Sequence, residues 1–73
     1  MVDIRKLRSR MALMGFNQKQ LVGEMNTRGV KISENTFSSM MNGRSSFDCD
    51  TVDVICDILE VVAPADKAEI FLA

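Results

Sequence analysis

Histidine, tryptophan and tyrosine are missing from these 73 residues, while cysteine occurs twice and proline once. With no imidazole and two thiols, a structural zinc site would have to be assembled mostly from carboxylates, a donor set zinc seldom uses for that purpose. Cys49 and Cys56 lie seven positions apart. On one helix that spacing separates their Cα atoms by about 10 Å at a rise of 1.5 Å per residue, beyond the ~7 Å a disulfide tolerates. They read as a free surface thiol and a small core residue. No glycine-rich phosphate loop occurs, and no serine or cysteine has a plausible base beside it. The expectation is a non-enzyme without metal or cofactor. No apolar run nears the ~18 residues of a membrane span, and the opening "MVDIRKLRSR" lacks the apolar stretch of a secretion signal. A cytoplasmic protein with no membrane partner is expected.

A chain this short buries only about 60% of the surface it exposes when unfolded, so there is room for one domain, residues 1–73, and its stability is thin. At 47% hydrophobic content it is an ordered domain rather than a tail, folding alone or as a dimer. The net charge of −1 hides a division. Residues 1–44 hold eight basic side chains against three acidic ones, a balance of +5. Residues 45–73 hold Lys67 against seven carboxylates, a balance of −6. One half suits a polyanion and the other avoids it. Equally, each can be a solvated face.

The hydrophobic spacing is helical throughout. Ile4, Leu7, Met11 and Met14 recur at three and four, which predicts a helix from about Asp3 to Met14 stopped by Gly15. Asn17 and Gln20 form a capping-box pattern behind Phe16, opening a second helix from Gln18 to about Arg28 that buries Leu21, Val22 and Met25. Ser33 caps a third, Glu34 to Asn42, with Phe37, Met40 and Met41 inward. Asp48 caps a fourth, to about Val61, with Val52, Ile55, Cys56 and Leu59 as its buried stripe and Val54, Ile58 and Val62 widening it. Pro64 begins a short fifth. No strand pattern survives, so the fold class is all-α, a compact bundle of about five short helices.

The run "QKQLVGEMNTRGVKISENTFSSMMNGR" resembles the helix-turn-helix core of the XRE, lambda Cro and cI-like repressor family, and "FDCDTVDVICDILEV" resembles the helix that follows it there. The resemblance covers roughly residues 4–61. "DKAEIFL" is similar to the tails of small phage Cro-like proteins. It implies a lambda repressor-like fold and a DNA-binding transcriptional regulator that occupies operator DNA in the host cytoplasm, at the nucleoid. It places base readers at Glu34, Asn35 and Ser39, and phosphate contacts at Gln18, Asn42 and Arg44. The chemistry agrees. Asn35 can bond adenine N6 and N7 together, Glu34 can accept from cytosine N4, and Ser38 and Ser39 are short donors and acceptors. Gln18 stands at a helix N-terminus, where free N–H groups meet an anion. Lys19, Arg28, Lys31, Arg44 and the helix 1 arginines would supply the charge that a recognition helix without Lys or Arg lacks.

Two features depart from the family pattern. Twelve positions separate Leu21 from the capping Ser33, so a segment like "NTRGV" lengthens the second helix or its turn. Met11 and Met41 stand where many members pair arginine with glutamate. An apolar contact there can be neutral or stabilising. Ile70, Phe71 and Leu72 are expected either to form a dimer or partner interface or to pack back onto helix 1. The six methionines serve as core filling or as an adaptable surface. Asp50, Asp53 and Asp57 share a side that reads as solvated. A second function stays open on the same fold: an antirepressor that grips a partner repressor protein instead of DNA.

Overall fold

Every helix but the last starts where a short polar side chain takes an otherwise unpaired amide. Asp3, Asn17, Ser33 and Asp48 sit in extended conformation, and their side-chain oxygens accept from the amides of Lys6, Gln20, Thr36 and Thr51. The computed structural model, which describes residues 2–72, shows these caps opening α1 (Ile4–Leu13), α2 (Gln18–Thr27), α3 (Glu34–Met41) and α4 (Cys49–Ile58). The expected capping box at α2 is present in both directions. The last helix, α5 (Pro64–Phe71), begins on proline with no side-chain cap.

The first four helices also end alike. The amides of Phe16, Val30, Arg44 and Val61 reach back to the carbonyls of Met11, Met25, Ser39 and Cys56 at 2.8–3.0 Å. That is the Schellman closure, which needs a left-handed residue just past the cap. Glycine supplies it after α2 and α3, at Gly29 with φ 96° and Gly43 with φ 78°. After α4 the same place is taken by Glu60, at φ 57°. The fourth helix therefore stops three residues before the expected Val61. Val61 turns into the core at 1% exposure, while Val62, expected to widen the buried stripe, stands 78% exposed.

A side chain from far along the chain stabilises that early stop. Arg10 of α1 donates from Nε to the Leu59 carbonyl at 3.0 Å and from Nη2 to the Glu60 carbonyl at 2.9 Å, taking up acceptors at the end of α4. Packing then follows the apolar stripes. α2 lies against both α3 and α4, and α1 lies against α5, where the Asp3 amide donates to the Ile70 carbonyl. Leu7, Leu21, Met25, Phe37, Ile55 and Leu59 are fully buried at the centre. Each such side chain contributes about 1.5–3 kcal/mol by leaving water. Phe47 stands edge-on between Phe37 and Phe71, with ring centroids 6.4 and 6.2 Å apart, and links α3 to α5. Met11 and Met41 are both buried in this one core cluster. Cys56 is buried and Cys49 exposed, both free, and burial pushes the Cys56 thiol up.

Of the two alternatives for the end of α5, interface or return onto α1, Ile70 and Phe71 take the second. Both are buried in the chain's own core, so of the three residues expected at an interface only Leu72, 77% exposed, faces outward. The cause is the α1–α5 contact, which brings Ile70 and Phe71 into the same core cluster as Leu7 and Met11.

Candidate nucleic-acid interface

α3 is short, but both ends are tied. Ser33 Oγ accepts from the Thr36 amide at 3.1 Å and bonds the Thr36 hydroxyl at 3.0 Å. At the far end Arg44 N–H closes on the Ser39 carbonyl. Phe37, Met40 and Met41 anchor the inner face. What remains outward is polar: Glu34, Asn35, Thr36 and Asn42 are exposed, and Ser38 and Ser39 are half-buried. No side-chain hydrogen bond within the chain engages Asn35, Ser38 or Ser39 among the described residues, so their donors and acceptors are free for a ligand.

Around this rod stand the cations. Lys19 is exposed at the first turn of α2, Lys31 in the turn before α3 and Arg44 just after it. Among the described residues no carboxylate pairs with any of the three; the ion pair present joins Arg28 Nε to Glu24 Oε1 at 3.5 Å. Being exposed and one helical turn long, that pair is weak, and Arg28 is only loosely held. Gln18 is half-buried at the α2 N-terminus. The capping box there occupies the Asn17 and Gln20 amides, leaving those of Gln18 and Lys19 free to meet an anion. The α1 arginines divide: Arg5 and Arg8 are exposed, whereas Arg10 is half-buried and committed to the α4 carbonyls. Arg10, expected with the other α1 arginines to supply charge toward DNA, is thus engaged within the chain.

The turn of the helix-turn-helix spans residues 28–33. Three or four residues are usual, so the inserted length lies in the turn and α2 keeps its ordinary bounds. Sequence reasoning passed over the residue that spans it. Asn26 Nδ2 donates to the Val22 carbonyl and to the Ile32 carbonyl, each at 2.8 Å. An asparagine near a helix end beside an overlong turn was the available signal.

Two short, end-tied helices, the second presenting free polar side chains and flanked by unpaired cations, make the geometry of a DNA-reading helix pair. Residues 6–66 match the family of the Cro/C1-type HTH DNA-binding domain. The chain belongs to that family. No curated protein and no solved structure matches it. As a Cro/C1-type domain it is a DNA-binding regulator rather than an enzyme fold, and the all-α bundle of five helices among the described residues is the architecture expected from the sequence. Among the described residues no helix is long and apolar enough to cross a membrane, and no cluster of metal-ligating side chains occurs.

The carboxylates Asp50, Asp53, Asp57, Glu60, Asp66 and Glu69 are all exposed on α4, its end and α5; Asp50 lines one hollow with Lys31 and Thr36, and Asp66 and Glu69 line another with Arg5 and Lys6. Asp48 belongs to the same half, but its carboxylate is occupied by the α4 cap. The Thr51 hydroxyl, then the Thr51 amide, hold its pKa below the ordinary value.

Proposed function

We propose that this Cro/C1-type protein is a sequence-specific transcriptional repressor of the phage or mobile-element type, acting by occupying its operator with α3 in the major groove. The observation that carries the reading is the outer face of α3, where Asn35 and Glu34 stand exposed at the first turn of a helix fixed at both ends. Asn35 and Glu34 read base edges, with Ser38 and Ser39 closing the approach. Gln18, Lys19, Arg28, Lys31, Asn42 and Arg44 take the phosphates. Because α3 carries no basic residue, affinity comes from the flanking cations and discrimination from few contacts, each worth about 1–3 kcal/mol. Doubling the half-site in a homodimer fits that modest specificity. The second copy is met by Leu72 and by the α1–α5 groove of about 390 Å³, where Arg5 and Lys6 face Asp66 and Glu69.

A gel shift on DNA flanking the gene, titrated with salt, tests the reading. Affinity should fall steeply as salt rises, and Asn35→Ala should lose preference for the operator while keeping the salt slope. The exposed acidic side of α4 and α5 favours a second reading, an antirepressor that masks the basic helix of a partner repressor. Absence of any salt-dependent DNA affinity, together with a stable complex with a neighbouring repressor, would decide for it.

A further inference from the structure

We propose that Asn26 is the positioning residue that sets the orientation of α3, and so controls how well the protein distinguishes its operator from other DNA. This rests on the DNA-reading role of α3 given above. A turn longer than the usual three or four residues leaves the second helix of the pair less constrained by the first. Here the slack in residues 28–33 is removed by one carboxamide. Asn26 stands in the last turn of α2 and gives both Nδ2 hydrogens to carbonyls, Val22 behind it and Ile32 across the turn, at 2.8 Å each. Since both partners are acceptors, only the NH2 face of the amide fits there. Aspartate would turn oxygen toward oxygen, and serine has one donor to give.

The anchor point matters as much as the bond. Ile32 directly precedes the Ser33 cap, and its side chain packs against the core cluster, as does that of Val30. The Ile32 carbonyl therefore holds the chain two and three residues before Glu34 and Asn35, the side chains assigned to base edges. Lys31 lies in the same tethered segment and would be carried with it. The Schellman closure at Gly29 fixes only the first part of the turn, through Val30 N–H to the Met25 carbonyl. Asn26 fixes the last part. Base-edge contacts carry the sequence information and depend on where the helix stands in the groove, whereas phosphate contacts by flexible lysines are made to any sequence. Losing the tether should blur discrimination and spare general affinity.

The test uses Asn26→Leu, which keeps the side-chain bulk and removes both donors, with Asn26→Asp as the harsher variant. The probes are the duplex that the wild-type chain enriches from a random-sequence pool and a scrambled duplex of the same composition. For Asn26→Leu the ratio of the two affinities should fall about tenfold, the weight of one weakened base contact, while affinity for the scrambled duplex stays within about twofold and its salt slope is unchanged. Equal loss on both duplexes, or no loss, overturns the proposal. Amide hydrogen exchange provides a readout free of DNA. Thr36 and Phe37 should exchange about tenfold faster in the variant, while Met11 and Ile55 hold their rates. Uniform acceleration would reduce Asn26 to a general stabiliser, and unchanged α3 amides would show that it orients nothing. Should the wild type enrich no duplex at all, the operator reading fails, and the exchange experiment still decides the tether.

Discussion

The chain's two halves differ most in charge and least in packing. Residues 1–44 carry the positive balance, spread over α1, α2 and the turns that flank α3, while residues 45–72 carry exposed carboxylates along α4 and α5. Underneath, the halves share one core: Phe37 of α3 meets Phe47, which in turn meets Phe71 of α5, and Arg10 of α1 closes the end of α4. Surface charge and interior packing are thus nearly independent here. The acidic half buttresses the basic one through apolar contacts, and its carboxylates come up against the basic side chains: Asp66 and Glu69 share a groove with Arg5 and Lys6, and Asp50 shares one with Lys31.

If the core is common property, breaking it on one side must unfold both. Phe37→Ala should cost about 3–5 kcal/mol, most of the stability of a domain this size, and urea denaturation should show α-helical signal lost in a single transition rather than in two. A smaller cut is made at Arg10, which crosses between the halves. Arg10→Ala removes two hydrogen bonds from a charged donor and should lower unfolding free energy by about 2 kcal/mol without altering the salt dependence of DNA binding, since that guanidinium is occupied internally. The surface contrast is probed next by pairing Arg44→Ala with Lys67→Ala. The first should reduce the slope of log affinity against log salt by about 1, and the second should leave it alone; equal effects would erase the distinction between the halves.

At the junction itself, Glu60→Gly should stabilise the protein by about 1 kcal/mol, because glycine enters the left-handed region without the crowding a Cβ brings. Smallest is the pH effect at Asp48. Its carboxyl is more acidic folded than unfolded, so the stability it adds is complete above the ordinary aspartate range near pH ~3.9 and is lost as pH falls through the lowered value. Melting temperatures of the wild type and Asp48→Ala should therefore converge on acidification.

Much of the scaffold was legible because its signals are local. Asp3, Asn17, Ser33 and Asp48 were read as helix starts from one residue and the few after it, and Gly15, Gly29 and Gly43 as helix ends, since caps and left-handed turns act within a single helical turn. The fourth end was misplaced by three residues because Glu60 does the work glycine does elsewhere, and nothing nearby announces it. Ile70 and Phe71 are a different case. Their apolar character was plain, but whether an apolar helix end meets its own chain or another is a question of which surface is adjacent. Of the candidate site, the free polar face of α3 followed from periodicity, whereas the commitment of Arg10 and the bridging by Asn26 did not.

Acting alone, the sequence determined where helices begin, which face of each is apolar and how charge divides along the chain, since all three are properties of neighbours within a few positions. Tertiary structure decided the stop of α4, the inward turn of α5 and the tethering of α3. Those depend on partners far along the chain, as with the 49 positions between Arg10 and the carbonyl of Leu59, and only a folded core brings such groups within hydrogen-bonding reach.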